Sequence, residues 1–204
     1  MEFNFDENII LENDRVLLRP LAIADFEHLI QFSLSEPGLW VHSLIQAIGE
    51  TGLRNYLQLA VDGRTARRDY PFIVFDKKKQ AFAGSTRYYD IQLANDSLQL
   101  GYTWYGKQFQ RTGLNKHCKY LLLEYAFEKK GAERVEFRAD LNNERSIAAM
   151  KSIGCIVEGV LRSNGKRSDG TLRDSIVLSI LKNEWEGGVK STLWSKIIAE
   201  QSKS

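Results

Sequence analysis

One stretch limits this chain more than any other: Tyr105-Gly106-Lys107-Gln108-Phe109-Gln110-Arg111-Thr112-Gly113-Leu114-Asn115. The apolar run Leu98 to Trp104 predicts a strand before it. After it, Leu114, Cys118, Leu121, Leu122, Tyr125 and Ala126 form one apolar stripe, which predicts a helix over about Gly113 to Lys130. A glycine-bearing turn between strand and helix leaves the first helical amides without partners. Those donors sit at the positive end of the helix dipole, so the turn suits a phosphate or pyrophosphate. Val135 to Asp140 alternates as the next strand. The helical crossover makes the two strands parallel.

The remaining elements surround this unit. Arg15 to Arg19 predicts a short strand ended by Pro20, and Ala22 to Ser33 a helix. A second helix covers Thr51 to Asp62. A meander follows, with strands Phe72–Phe75, Phe82–Leu93 and Leu98–Trp104. Asn142 to Gly154 reads as another helix. Strands Ile156–Leu161 and Ser175–Leu181 flank the turn Ser168–Thr171, and Lys182 to Ser204 reads as a short helix and a frayed tail. The fold class is α/β (α+β): a mixed, mostly antiparallel sheet with flanking helices. The expected domain spans 1–185, with a C-terminal helix and tail over 186–204.

Composition excludes more than it selects. The chain has 204 residues, 43% of them hydrophobic, which suits one domain with a full core. Lys and Arg total 28 against 26 Asp and Glu, so a net charge of +2 calls for no nucleic acid and no membrane. Cys118 and Cys155 form no CxxC pair, so they read as reduced core residues, with neither metal nor disulfide implied. The acidic N-terminus is no signal peptide, and no run reaches the ~18 apolar residues of a membrane span. A soluble cytoplasmic protein is expected, and a homodimer is an allowed assembly.

Several motifs in order resemble the GNAT superfamily of acyl-CoA N-acyltransferases. They are Gln110-x-x-Gly113 between strand and helix, then Asn143-x-x-Ser146-x-x-x-Met150-Lys151-x-x-Gly154. Within it, Leu17-Leu18-Arg19-Pro20-Leu21 with Asp25-Phe26, Gly101-Tyr102-Thr103-Trp104 and Asp169-Gly170-Thr171-Leu172-Arg173-Asp174 resemble the ribosomal-protein N-terminal acetyltransferase (Rim-type) branch. The resemblance implies acetyl-CoA as co-substrate and two parallel strands that splay apart. Pantetheine would lie in the gap against the backbone of Tyr102, Thr103 and Trp104. The pyrophosphate would meet the span Gln110, Arg111, Thr112, Gly113, Leu114 and Asn115. Asn143 and Ser146 would lie toward the thiol, and Arg145 or Lys151 toward the nucleotide. Two positions depart from the family: Asn115 where a Gly or Ala is usual, and Met150 where a tyrosine often protonates the leaving thiolate. Asn115 fits if its side chain points outward. Ser146 is the substitute acid.

Acetyl transfer to an amine needs a deprotonated amine, a donor for the oxyanion and help for the leaving thiolate. The backbone near Tyr102 is the oxyanion donor. Many relatives place an acid just before Gly101, but here the strand reads Leu98-Gln99-Leu100. Asp90 is the candidate base, with Glu36 or a water relayed through Tyr102 as alternatives. Trp40 and Tyr88 are candidates for the acceptor pocket. Arg87 and Tyr88 face opposite sides of one strand, and the sequence leaves open which side is the cleft. His117 is expected to face solvent. The acceptor is a protein N-terminus or a small-molecule amine. The other class of reading, a CoA-binding module without turnover, rests on Gln99 and Met150.

Overall fold

The structure is a computed structural model that describes residues 1–167 and 169–201. Its strands are β1 (Leu11–Glu12), β2 (Val16–Pro20), β3 (Tyr70–Asp76), β4 (Ala81–Gln92), β5 (Ser97–Tyr105), β6 (Arg134–Asp140), β7 (Ile156–Lys166) and β8 (Leu172–Leu181). Its helices are α1 (Phe26–Ser35), α2 (Gly49–Thr65), α3 (Leu114–Glu124), α4 (Glu144–Ser152), the single turn α5 (Lys182–Glu184) and α6 (Lys190–Gln201). One mixed sheet runs β1-β2-β3-β4-β5-β6-β8-β7. Every neighbouring pair is antiparallel except β5 and β6.

Alternation along β4 sends side chains to two different layers. Ser85 meets the Tyr56 hydroxyl of α2 at 2.8 Å, whereas the Tyr88 hydroxyl donates to the Leu122 carbonyl of α3 at 2.5 Å. So α1 and α2 cover one face and α3 the other. The Arg19-Pro20-Leu21 segment is locked from behind. Arg19 Nη1 donates to Asp25 at 3.0 Å, and the Ala22 amide donates to the same carboxylate at 2.8 Å. These residues, which carry part of the resemblance, hold β2 to α1 rather than form a site.

The parallel pair opens. Its register holds at Ser97↔Arg134, Leu98↔Val135 and Gln99↔Glu136, and then stops, although both strands continue. The cause lies in β5. Arg87 pairs with Gly101 and Ser85 with Trp104, so Tyr102 and Thr103 together oppose Thr86. This is a β-bulge, and Tyr102 carries φ +49°. A bulge bends its strand and increases its twist, which carries β5 away from β6.

Two expectations about the C-terminal part change. Strands β7 and β8 extend beyond the expected bounds as a hairpin ribbon. Almost every residue of β7 is exposed, so no buried face imposes the alternation that marks a strand. Ser168 of the expected turn lies outside the described residues. The expected tail is, through residue 201, helix α6, and Ser202, Lys203 and Ser204 lie outside the described residues. Leu193 and Ile197, one turn apart, are buried, and Trp185 stacks on Phe127 at 5.6 Å. The chain thus closes the outer side of α3. Ile197→Ala removes a fully buried branched side chain and should cost about 2–4 kcal/mol. Thermal unfolding should show a Tm lower by roughly 5–12 °C.

Candidate functional site

The turn after β5 is built by its own side chains. Gln110 Nε2 donates to the Tyr105 carbonyl at 2.8 Å, and Thr112 Oγ1 to the Phe109 carbonyl at 2.8 Å. Gln110 Oε1 accepts from Arg145 Nη1 of α4 at 2.7 Å, which ties the second motif to the first. Arg111 and Gly113 take positive φ values of +60° and +82°. Such angles aim successive amides toward one point. Among the described residues, the amides of Arg111, Thr112, Gly113, Leu114 and Asn115 donate to no acceptor. A side-chain anion already stands beside them. Lys116 pairs with Glu200 of α6, and a Cβ added at Gly113 would lie 3.0 Å from that carboxylate. The turn therefore fits an anionic group. Asn115 does not point outward: its Oδ1 accepts from the Tyr105 hydroxyl at 3.3 Å. This inward contact removes the steric objection to asparagine at the position.

Helix α4 stands beside the opened gap. Asn143 is its N-cap, with Oδ1 accepting from the Ser146 amide at 3.1 Å. Its oxygen is thus spent on the helix start. Met150 is buried. Ser146 is half-buried and its hydroxyl has no partner among the described residues.

On the α1/α2 face, Tyr102 gathers the polar groups. The Arg87 guanidinium lies 4.2 Å from its ring centroid, and Tyr89 meets the ring edge-on at 5.0 Å. Tyr56 donates to the Tyr102 carbonyl at 3.3 Å. Burial, partly offset by Arg87, raises the Tyr102 pKa, so the phenol stays protonated at neutral pH. Asp90 accepts from Gln99 Nε2 at 2.7 Å and from Gln92 Nε2 at 2.6 Å. Gln99 therefore orients the Asp90 carboxylate. The other wall comes from the β7–β8 ribbon. Arg173 Nη1 donates to the His42 carbonyl at 3.3 Å, joining the ribbon to the α1–α2 loop. Arg167 forks onto Asp140 at 2.8 and 3.1 Å. Between loop and ribbon lies a cleft of about 540 Å³ lined by Pro37, Val41, His42, Asn142, Arg167 and Thr171, among others.

Several sequence expectations are corrected here. Tyr88 is fully buried on the α3 side, so it cannot line an acceptor cleft; Arg87 and Tyr89 have that face. Trp40 is also fully buried, packed edge-on against Trp104 at 5.2 Å, so it supports the wall from behind. Glu36 accepts from the Lys107 amide at 2.7 Å, so one of its oxygens caps the turn after β5. His117 does not face solvent. It is buried, with Nδ1 3.1 Å from Asn13 Nδ2, and burial together with Arg15 lowers its pKa, so it is neutral at pH 7. Sequence reasoning also missed Arg87, Arg173 and Lys119. Lys119 had a signal: with Asn115, Leu122 and Ala126 it follows the i, i+4, i+7 spacing of the buried side.

The chain is similar to known proteins in sequence and fold. Residues 15–156 match the Acetyltransferase (GNAT) domain family. YdaF of Bacillus subtilis (strain 168), provisionally named a ribosomal N-acetyltransferase, is 33% identical over 107 residues, which are 52% of this chain and 57% of that protein. A provisionally named acetyltransferase from T. thermophilus superposes with a TM-score of 0.82 at 34% identity, over 92% of this chain and 96% of that one. Mycobacterium smegmatis RimJ, solved with CoA-disulfide, shares the fold with a TM-score of 0.78 at 19% identity, over 93% of each chain.

Proposed function

The chain belongs to the GNAT acetyltransferase family, and from that premise we propose that it moves the acetyl group of acetyl-CoA directly to a primary amine in a ternary complex. The acceptor is an α-amine at a protein N-terminus or a small-molecule amine, with the N-terminal class favoured by the likeness to a ribosomal N-acetyltransferase. One observation carries the reading: a run of unpartnered amides, already facing a carboxylate, stands at the end of a parallel pair that a bulge has opened.

The bound donor supplies an acetyl group activated as a thioester. The residues of this chain do the rest. The amides from Arg111 to Asn115 and Lys116 hold the diphosphate. The gap between β5 and β6 takes the pantetheine arm, because strand backbone that has lost its neighbour needs other partners. The backbone at the Tyr102 bulge stabilises charge on the acetyl oxygen. Asp90, oriented by Gln99, takes the amine proton through solvent. A strong base is not needed for a peptide α-amine, whose pKa is about 7.7–8.0. Ser146 donates a hydrogen bond to the leaving sulfur. A cytoplasmic setting, where free N-termini meet acetyl-CoA, fits this chemistry.

The test is a thiol-release assay with acetyl-CoA and a panel of amines, from N-terminal peptides to small amines. Amine-dependent release is expected. CoA binding without release on any amine would mark a binding module, and no CoA binding would overturn the reading. Within the assay, Ser146→Ala should lower kcat about tenfold and leave the KM for acetyl-CoA near its original value. An unchanged kcat removes Ser146 from the leaving-group step.

A further inference from the structure

Resting on the reading above, we propose that Lys119 holds the negative charge of the leaving sulfur from beneath the opened strands, and through Thr103 fixes the bulge that opens them. The lysine is on α3, yet its side chain is turned in under the sheet. Its Nζ donates to Thr103 Oγ1 at 2.7 Å and to Thr86 Oγ1 at 3.3 Å. Thr103 and Thr86 are themselves 2.7 Å apart, across the bulge. On the other side, Nζ lies 6.0 Å from the ring centroid of Phe137 on β6. The ammonium therefore sits between the two strands that have parted, where β5 and β6 no longer pair.

Nothing nearby opposes its charge. Lys119 is buried, and among the described residues no carboxylate is bonded to or paired with it. The titratable groups that face it are Cys118 on its own helix and Cys155 after α4. Both are thiols that burial pushes up to about 12, so both are neutral. Burial in turn lowers the lysine to about 8, which still leaves it mostly protonated at neutral pH. A buried cation satisfied only by two hydroxyls costs stability unless an anion joins it. Transfer makes one. The amine nitrogen forms the C–N bond, the C–S bond breaks, and its electron pair goes to sulfur. The proton shed by the amine leaves toward Asp90 and solvent. Ser146 cannot neutralise that sulfur, since a serine hydroxyl is a far weaker acid than a thiol and only donates a hydrogen bond. Methionine at 150 supplies neither proton nor charge, and the two cations of α4, Arg145 and Lys151, are exposed, Arg145 being bonded to Gln110 at 2.7 Å. Lys119 fills the role as an electrostatic and positioning group and keeps its own proton.

The test reads the sulfur without turnover. CoA, with its free thiol, is bound to the whole chain, and its thiolate is followed by ultraviolet absorbance across pH. In the wild type, the bound thiol should titrate about one to two units below the value the same thiol shows in free CoA. Lys119→Met should abolish that shift and lower kcat about tenfold or more, with desulfo-CoA binding weakened less than kcat falls, and Lys119→Arg should restore part of the shift. An unshifted thiol in bound wild-type complex overturns the role of Lys119 with no variant needed, and leaves the acetyltransferase reading intact. An equal shift in Lys119→Met overturns it too. Failure of CoA to bind the wild type overturns the acetyltransferase reading, and this inference with it.

Discussion

Gly113→Asp should weaken acetyl-CoA binding about a hundredfold, a loss of about 2.7 kcal/mol. Two effects add. Gly113 sits at φ +82° as the residue before α3, a conformation that side chains with a Cβ rarely adopt. The new carboxylate would also stand among the amides of the turn, facing both Glu200 and the incoming diphosphate. Gly113→Ala separates the two, since it adds the strain without the charge. It should cost only several-fold in affinity. Isothermal titration with CoA measures both. Unchanged affinity in the aspartate variant would show that the diphosphate binds elsewhere. A Tm measured alongside checks that the docking of α6, which brings Glu200 to the turn, survives.

Gly84→Ala should remove much of the protein's stability margin, by about 4 kcal/mol or more. Gly84 lies in β4 at φ +153°, opposite Tyr105. An added Cβ would stand 2.0 Å from the Trp104 carbonyl oxygen, and no backbone atom of a central strand can step aside by that much. The substitution should lower the Tm by roughly 8–16 °C. What remains folded should lose activity as well, because the displaced Trp104 adjoins the bulge at Tyr102 and Thr103. Gly159→Ala is the control. Nothing lies within 4 Å of a Cβ there, and its cost should stay within about 0.5 kcal/mol. If the two variants melt alike, the close approach of β4 to β5 is not a constraint.

Much of this architecture was legible before folding was considered. The stripe from Leu114 to Ala126 and the alternation from Val135 to Asp140 each report a single buried face. A period is a local property, and it survives in the sequence whatever the element packs against. The same holds for the glycine turn, whose free amides follow from helix geometry alone. Residues with two faces to choose between were not legible. Arg87 and Tyr88 had to part, but which one met the cleft depended on where α3 packed. Tyr88 became core, bonded to Leu122. His117 looked exposed because its partner, Asn13, is distant in sequence. The C-terminal segment looked like a tail because its contacts, Phe127 and Tyr120 around Trp185, lie on another helix.

The sequence by itself determined the strand, turn and helix that can hold a diphosphate, and the parallel crossover that must follow. These need only neighbours along the chain. The opening of the parallel pair, which the family resemblance implies, has its cause only in tertiary structure, since it depends on Thr86 facing two residues of β5 instead of one. Tertiary structure alone put a lysine under the opening and a glutamate of the last helix at the turn. The reason is that charge, unlike periodicity, acts through space. What a buried ammonium can do is set by the groups that converge on it, and for Lys119 those come from three different strands, β4, β5 and β6.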